Sequence, residues 1–211
     1  MRPILAWAVS GRTIDVGHLR ARMLRALLIV PLLAAGIALG APRPAAAAAL
    51  CDTGPVTVIG ATIKDNVVVK SGKMCNLEDV TIQGGVTVEP GGAFSAIESE
   101  IRGSVSGTDV NSFLIYGGVV RGGVTVAGAS LYLSIKFAEV RGSVALSEAA
   151  TFSGINGSSV RGSVTMNDNP EIHVGGNTIG GHLACANNDS ATNYGDPSTV
   201  GGVKSGDCAN L

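Results

Sequence analysis

The stretch Val120-Arg121-Gly122-Gly123-Val124 returns twenty residues later as Val140-Arg141-Gly142-Ser143-Val144, and twenty later again as Val160-Arg161-Gly162-Ser163-Val164. The same pentad stands upstream as Ile82-Gln83-Gly84-Gly85-Val86 and Ile101-Arg102-Gly103-Ser104-Val105, and downstream as Ile179-Gly180-Gly181-His182-Leu183. Its central glycines are 19, 19, 20, 20 and 19 residues apart. Counting back 19 from Gly84 reaches Ile63-Lys64-Asp65-Asn66-Val67, a seventh copy with the glycine replaced. A fixed period near twenty marks stacked units, each too small to bury a core by itself.

Alignment on the glycine exposes columns. Two residues before it stand Ile63, Ile82, Ile101, Val120, Val140, Val160 and Ile179; two after it stand Val67, Val86, Val105, Val124, Val144, Val164 and Leu183. Four after it come Val69, Val88, Gly107, Val126, Leu146, Met166 and Cys185, and ten after it Cys75, Phe94, Phe113, Tyr132, Phe152 and Ile172. Alternation with period two reads as β-strand with the apolar set facing inward, and the Val/Ile content agrees. The glycine falls on an inward position, where a missing side chain permits a bend or close packing. Turn signals follow, such as Glu89-Pro90-Gly91-Gly92 and Asn167-Asp168-Asn169-Pro170.

The expected fold is all-β: a single-stranded parallel β-helix of about seven coils, each of 19–20 residues with three short strands. At a coil spacing of ~4.8 Å the stack is about 34 Å long. A left-handed hexapeptide helix needs eighteen-residue coils, so the right-handed form is preferred. An antiparallel sandwich does not hold one column in phase through sequential hairpins.

The chain has 211 residues and a net charge of −1, which divides unevenly. Residues 1–49 hold six arginines and one acid, Asp15, whereas residues 50–211 hold nine basic and fifteen acidic side chains. An acidic body argues against nucleic acid as a partner. The uncharged run from Ala26 to Leu39 follows Arg20, Arg22 and Arg25 and precedes the small-residue tract Ala45 to Ala49. That is the pattern of a cleaved secretory signal peptide over 1–49; the run is shorter than the roughly 20 residues of a membrane span. Ala47 and Ala49 suit the cleavage positions, and Met23 is an alternative start. Residues 50–185 then form the repeats and 186–211 a final partial coil folded over the end, in which Thr199-Val200-Gly201-Gly202 echoes Thr178-Ile179-Gly180-Gly181.

All four cysteines lie in the exported part: Cys51, Cys75, Cys185 and Cys208. An even count outside the cytoplasm reads as two disulfides, and no metal spacing is present. A disulfide needs Cα atoms within about 7 Å. Cys51 and Cys75 belong to the first coil, Cys185 and Cys208 to the last, so the pairs are Cys51–Cys75 and Cys185–Cys208.

The block Asn177-Thr178-Ile179-Gly180-Gly181-His182-Leu183-Ala184-Cys185, with the closing Gly206-Asp207-Cys208-Ala209-Asn210-Leu211, resembles the end of a group of small secreted bacterial proteins with Gly/Val-rich repeats and paired cysteines. The resemblance covers most of residues 51–211 and is specific in the C-terminal block. It implies a secreted location and a parallel β-helix, and it carries over no catalytic residues.

For chemistry, the leading feature is an outward column one residue before the glycine: Lys64, Gln83, Arg102, Arg121, Arg141, Arg161 and Gly180. Stacked like charges are unfavourable across strands, and Glu100 and Glu139 stand where they can pair with Arg102 and Arg141. The column reads either as a partly paired solvated face or as a linear site for an anionic polysaccharide or cell-wall polymer, because arginine forks suit carboxylate and phosphate. The next columns, Gly85, Ser104, Gly123, Ser143, Ser163 and then Thr87, Ser106, Thr125, Ala145, Thr165, are small and leave the arginines reachable. A Thr array for ice is interrupted by Ala145. An enzyme acting on polysaccharide needs positioned carboxylates, whereas Asp65, Asp109, Glu148 and Asp168 are scattered at turns and His173 and His182 have no partner in register. The sequence therefore points to a secreted, non-catalytic binder without cofactor or metal. A polysaccharide lyase or hydrolase and a structural, self-associating element are the alternatives.

Overall fold

The computed structural model describes residues 51, 52 and 54–211; the signal peptide and cleavage site expected over residues 1–49 lie outside the described residues. Twenty-four short strands build three parallel sheets of eight strands each, and no helix occurs among the described residues. Every coil gives one strand to each sheet. The fourth coil, for example, places Ser112–Tyr116 in the first sheet, Val119–Val120 in the second and Val124–Ala129 in the third. The fold is the parallel β-solenoid that the period predicts.

The coils number eight, not seven. Residues 186–211 supply Ser190–Thr192, Thr199–Val200 and Lys204–Gly206, one strand for each sheet. The echo of the pentad at Thr199-Val200 is the cause: Val200 pairs with Ile179 and extends its column.

Three of the four inward columns stand as aligned. Ile63, Ile82, Ile101, Val120, Val140, Val160 and Ile179 are successive ladder partners, and each is buried. So are Val67 through Leu183 in the third sheet. Burying each such side chain contributes about 1.5–3 kcal/mol, and stacking is what makes the burial available.

The fourth column departs from expectation. Phe113 pairs with Leu133, not Tyr132, and Leu133 pairs with Ser153, which pairs with Ile172. The extra residue of each twenty-residue coil sits in the turn between the third and first sheets, at Ser130-Leu131 and Ala150-Thr151. A slip of one residue turns a strand's side chains over, so Tyr132 and Phe152 face outward and are only half-buried. Ser153 takes the inward place, fully buried, and its Oγ has no hydrogen-bond partner.

The pentad glycines are half-buried at the corner between the second and third sheets and do not point into the core. The position they face is the backbone of the preceding coil. A Cβ on Gly142 would lie 2.6 Å from Gly123 N and 2.8 Å from Gly122 C. Glycine is required there by close approach of two main chains. The neighbouring serines add stitches: Ser104 Oγ accepts from Gly123 N, Ser143 Oγ from Ser163 N and Ser163 Oγ from His182 N, at 3.0–3.3 Å.

Both ends are held as expected, with disulfides Cys51–Cys75 and Cys185–Cys208, each at a Cα–Cα distance of 5.4 Å. Toward the C-terminal end the inner corner changes from apolar to amide. Ala149 N donates to Asn169 Oδ1, Asn169 N to Asn188 Oδ1 and Asn188 N to Asp207 Oδ2, at 2.8–3.1 Å. This ladder satisfies backbone donors of the last coils, from a buried one at Ala149 to an exposed one at Asn188 beside Cys208.

Two stability measurements check this packing. Gly142→Ala lowers the unfolding free energy by about 2 kcal/mol, because its Cβ meets main chain that has no room to yield. Ser153→Ala raises it by about 1 kcal/mol by removing an unsatisfied buried hydroxyl. Urea denaturation followed by far-ultraviolet circular dichroism reads both.

Candidate functional site

The arginines follow the last residue of each second-sheet strand, and the ladder continues through them. Arg121 N donates to Ile101 O, Arg141 N to Val120 O and Arg161 N to Val140 O, at 2.8–2.9 Å. Register thus holds Arg102, Arg121, Arg141 and Arg161 in one line at the corner, one per coil. Their side chains are 46%, 45%, 36% and 63% exposed, so all four remain open to solvent.

The line is divided into two clusters. Glu100 Oε1 receives Arg121 Nε at 2.7 Å and lies 3.4 Å from Arg102 Nε. Glu139 Oε1 receives Arg141 Nε at 3.0 Å and Arg161 Nη2 at 3.1 Å. The expected local pairs form, and each glutamate also bridges to the arginine one coil on. The sequence hid that second contact because it spans 21 or 22 residues. Two carboxylates against four guanidiniums leave a net +2 along the line.

The arginines act back on the acids. The hydrogen bond from Arg121, with the charges of Arg121 and Arg102, holds the Glu100 carboxyl below the ordinary glutamate value. The hydrogen bond from Arg141, aided by Arg161, does the same for Glu139.

The small columns have structural duties as well as leaving space. The Thr/Ser column forms in register on the outer face of the third sheet, from Thr87 through Ser106 and Thr125, and Ala145 interrupts it before Thr165. His182 does the work of the serines before it: its Nδ1 accepts from Val203 N at 2.9 Å. Asp109, Glu148 and Asp168 occupy left-handed turn positions, with φ of 50°, 57° and 56°. They fall at one corner, one per coil except where Gly128 intervenes. Among the described residues no group of three His, Cys, Asp or Glu side chains is arranged to hold a metal ion.

His173 is outward as expected, yet it has partners. Its Nε2 lies 2.7 Å from Glu171 Oε1 and 2.8 Å from Tyr194 Oη. Both contacts fall on the same ring nitrogen, so His173 has no relay through its two nitrogens within this group. The ring belongs instead to an outer aromatic ladder that column alignment missed. Tyr132 stacks on Phe152 at 5.7 Å and 13°, Phe152 on His173 at 5.7 Å and 21°, and Tyr194 meets His173 edge-on at 4.7 Å. Placing the twentieth residue of each long coil in the preceding turn shows Tyr132 and Phe152 facing outward, whereas His173 lies two register positions along and joins them only in the folded chain.

The paired glutamates set a pH dependence. Because Glu100 and Glu139 titrate lower folded than unfolded, their stabilising contribution is present above the unfolded pKa and is lost as pH falls through the folded one. The melting temperature therefore drops below about pH 4, and the double variant E100Q/E139Q loses that part of the drop. Differential scanning calorimetry between pH 2 and 7 reads the difference.

Compared with family models, with curated proteins and with solved structures, the chain matches none.

Proposed function

We propose that this protein is an exported, non-catalytic solenoid of the secreted Gly/Val-rich repeat group, and that it meets an anionic polymer along its arginine line. The observation that carries this reading is the surplus of guanidinium on a straight, exposed corner. Four arginines at one-coil spacing are balanced by two carboxylates, leaving donor capacity on each arginine that the glutamates do not use. A polymer bearing carboxylate or phosphate groups at regular intervals takes up such donors by charge-assisted forks. Two disulfides support an oxidising location outside the cytoplasm.

A binder is favoured over a polysaccharide-cleaving enzyme by the arrangement of the acids. Glu100 and Glu139 are each engaged by two arginines. A glycosidase keeps one carboxyl protonated by raising its pKa; these two are shifted the other way.

The test is retention on immobilised polygalacturonate in a salt gradient. Replacing Arg102, Arg121, Arg141 and Arg161 together by Ser weakens binding at least tenfold at low salt. E100Q/E139Q elutes at higher salt than the parent, since it doubles the net charge of the line. Unchanged elution of both variants sinks the arginine site.

A further inference from the structure

We propose that a slot on the outer face of the first sheet binds one ring of a neutral saccharide, stacked against Tyr132. The site lies on a different side of the solenoid from the arginine line and does not depend on it.

The argument starts from the outward column at the beginning of each first-sheet strand. Register makes it Met74, Ala93, Ser112, Tyr132 and Phe152: Met74 pairs with Ala93, Ala93 with Ser112, and Tyr132 with Phe152, while the Phe113–Leu133 pair sets Ser112 beside Tyr132. At Tyr132 and Phe152 the column is filled by rings, and Tyr132 rests one face on Phe152; Glu171 follows in the column, and His173 reaches Phe152 from two residues along. Below Tyr132 the ladder stops, because the next two positions carry only a hydroxymethyl and a methyl group. Met74, three coils below Tyr132, is the next large side chain in the column, 43% exposed.

The gap is a real depression. It is a half-open hollow of about 230 Å³, and Met74, Asn76, Ser95, Ser112, Leu114 and Tyr132 are among its lining residues, none of which is charged. Coil spacing of ~4.8 Å leaves room between Met74 and Tyr132 for a flat ring lying parallel to Tyr132, in the place a further aromatic rung would take. One wall of the slot is thus the free face of a tyrosine already fixed by stacking.

The floor decides the chemistry of the occupant. Asn76, Ser95 and Ser112 bring an amide and two hydroxyls into the depression, and no side-chain hydrogen bond within the described residues engages them. A pyranose ring offers an apolar C–H face to Tyr132 and a rim of hydroxyls to these three groups. An aromatic side chain from a protein partner fills the same volume and leaves all three without partners, which costs affinity in a desolvated slot. The lining offers no cation to a carboxylate or phosphate, in contrast to the arginine line, and so favours a neutral occupant.

Isothermal titration calorimetry of the protein with neutral hexasaccharides of α- and β-linked glucose, mannose, xylose and N-acetylglucosamine tests this. At least one of them binds. Ser112→Phe, which supplies the missing rung and fills the slot, weakens that binding at least tenfold without lowering the melting temperature. Tyr132→Ala weakens it similarly, and the four-Ser arginine variant changes it less than twofold. Absence of binding by every hexasaccharide overturns the proposal. So does binding that Ser112→Phe leaves intact, or binding of N-acetylphenylalaninamide with no saccharide bound. Loss of polygalacturonate retention in the arginine variant with saccharide binding preserved separates this site from the first.

Discussion

Gly103 donates its amide to Gly84 at 2.8 Å, Gly122 to Gly103 at 3.1 Å, Gly142 to Gly122 at 3.0 Å and Gly162 to Gly142 at 3.1 Å. This line of main-chain contacts runs along one corner of the solenoid, and a side chain at any of its points would strike the coil beneath. It fixes the register of the second and third sheets to the residue. The inward Ile/Val columns on both sides of the glycines align because this corner aligns, and the burial of each coil's apolar set follows from that alignment. The arginine line is a product of the same constraint, since each arginine is the residue just before a glycine.

The opposite side of the coil is less tightly governed. The turn between the third and first sheets accepts either two or three residues between its inward positions, and it absorbs the difference, so that the first sheet stays in register from coil to coil. That tolerance created the outer aromatic ladder and the slot beneath it. It also put Ser153 where a hydrophobic residue packs in the coils on either side, Leu133 and Ile172. The solenoid is therefore stringent at one corner and variable at another, and the surface features differ accordingly. The glycine corner offers a regular line of charge, and the variable turn an irregular face of rings and small polar groups.

Electrostatics limits what the regular line can do. Four stacked guanidiniums repel one another, and two glutamates each shared between neighbouring coils relieve that repulsion. The relief is incomplete in charge and leaves the side chains exposed, which is the condition for a ligand to complete it. At the ends, disulfides and the Asn169–Asn188–Asp207 ladder replace the packing that a further coil would give.

The repeat of the pentad, the three-sheet parallel solenoid, both disulfide pairs and the arginine line were legible from residue order alone. The solenoid and the arginine line depend on positions near the glycine, where the spacing within each pentad is invariant, and the disulfide pairs on the two cysteines at each end of the stack. The tertiary structure alone decided that Tyr132 and Phe152 face out and Ser153 faces in, because a one-residue insertion has no fixed location until a particular turn absorbs it. It also decided that residues 186–211 complete an eighth coil and that Glu100 and Glu139 bridge successive arginines. Those contacts join residues about one coil apart, and only stacking brings them within reach.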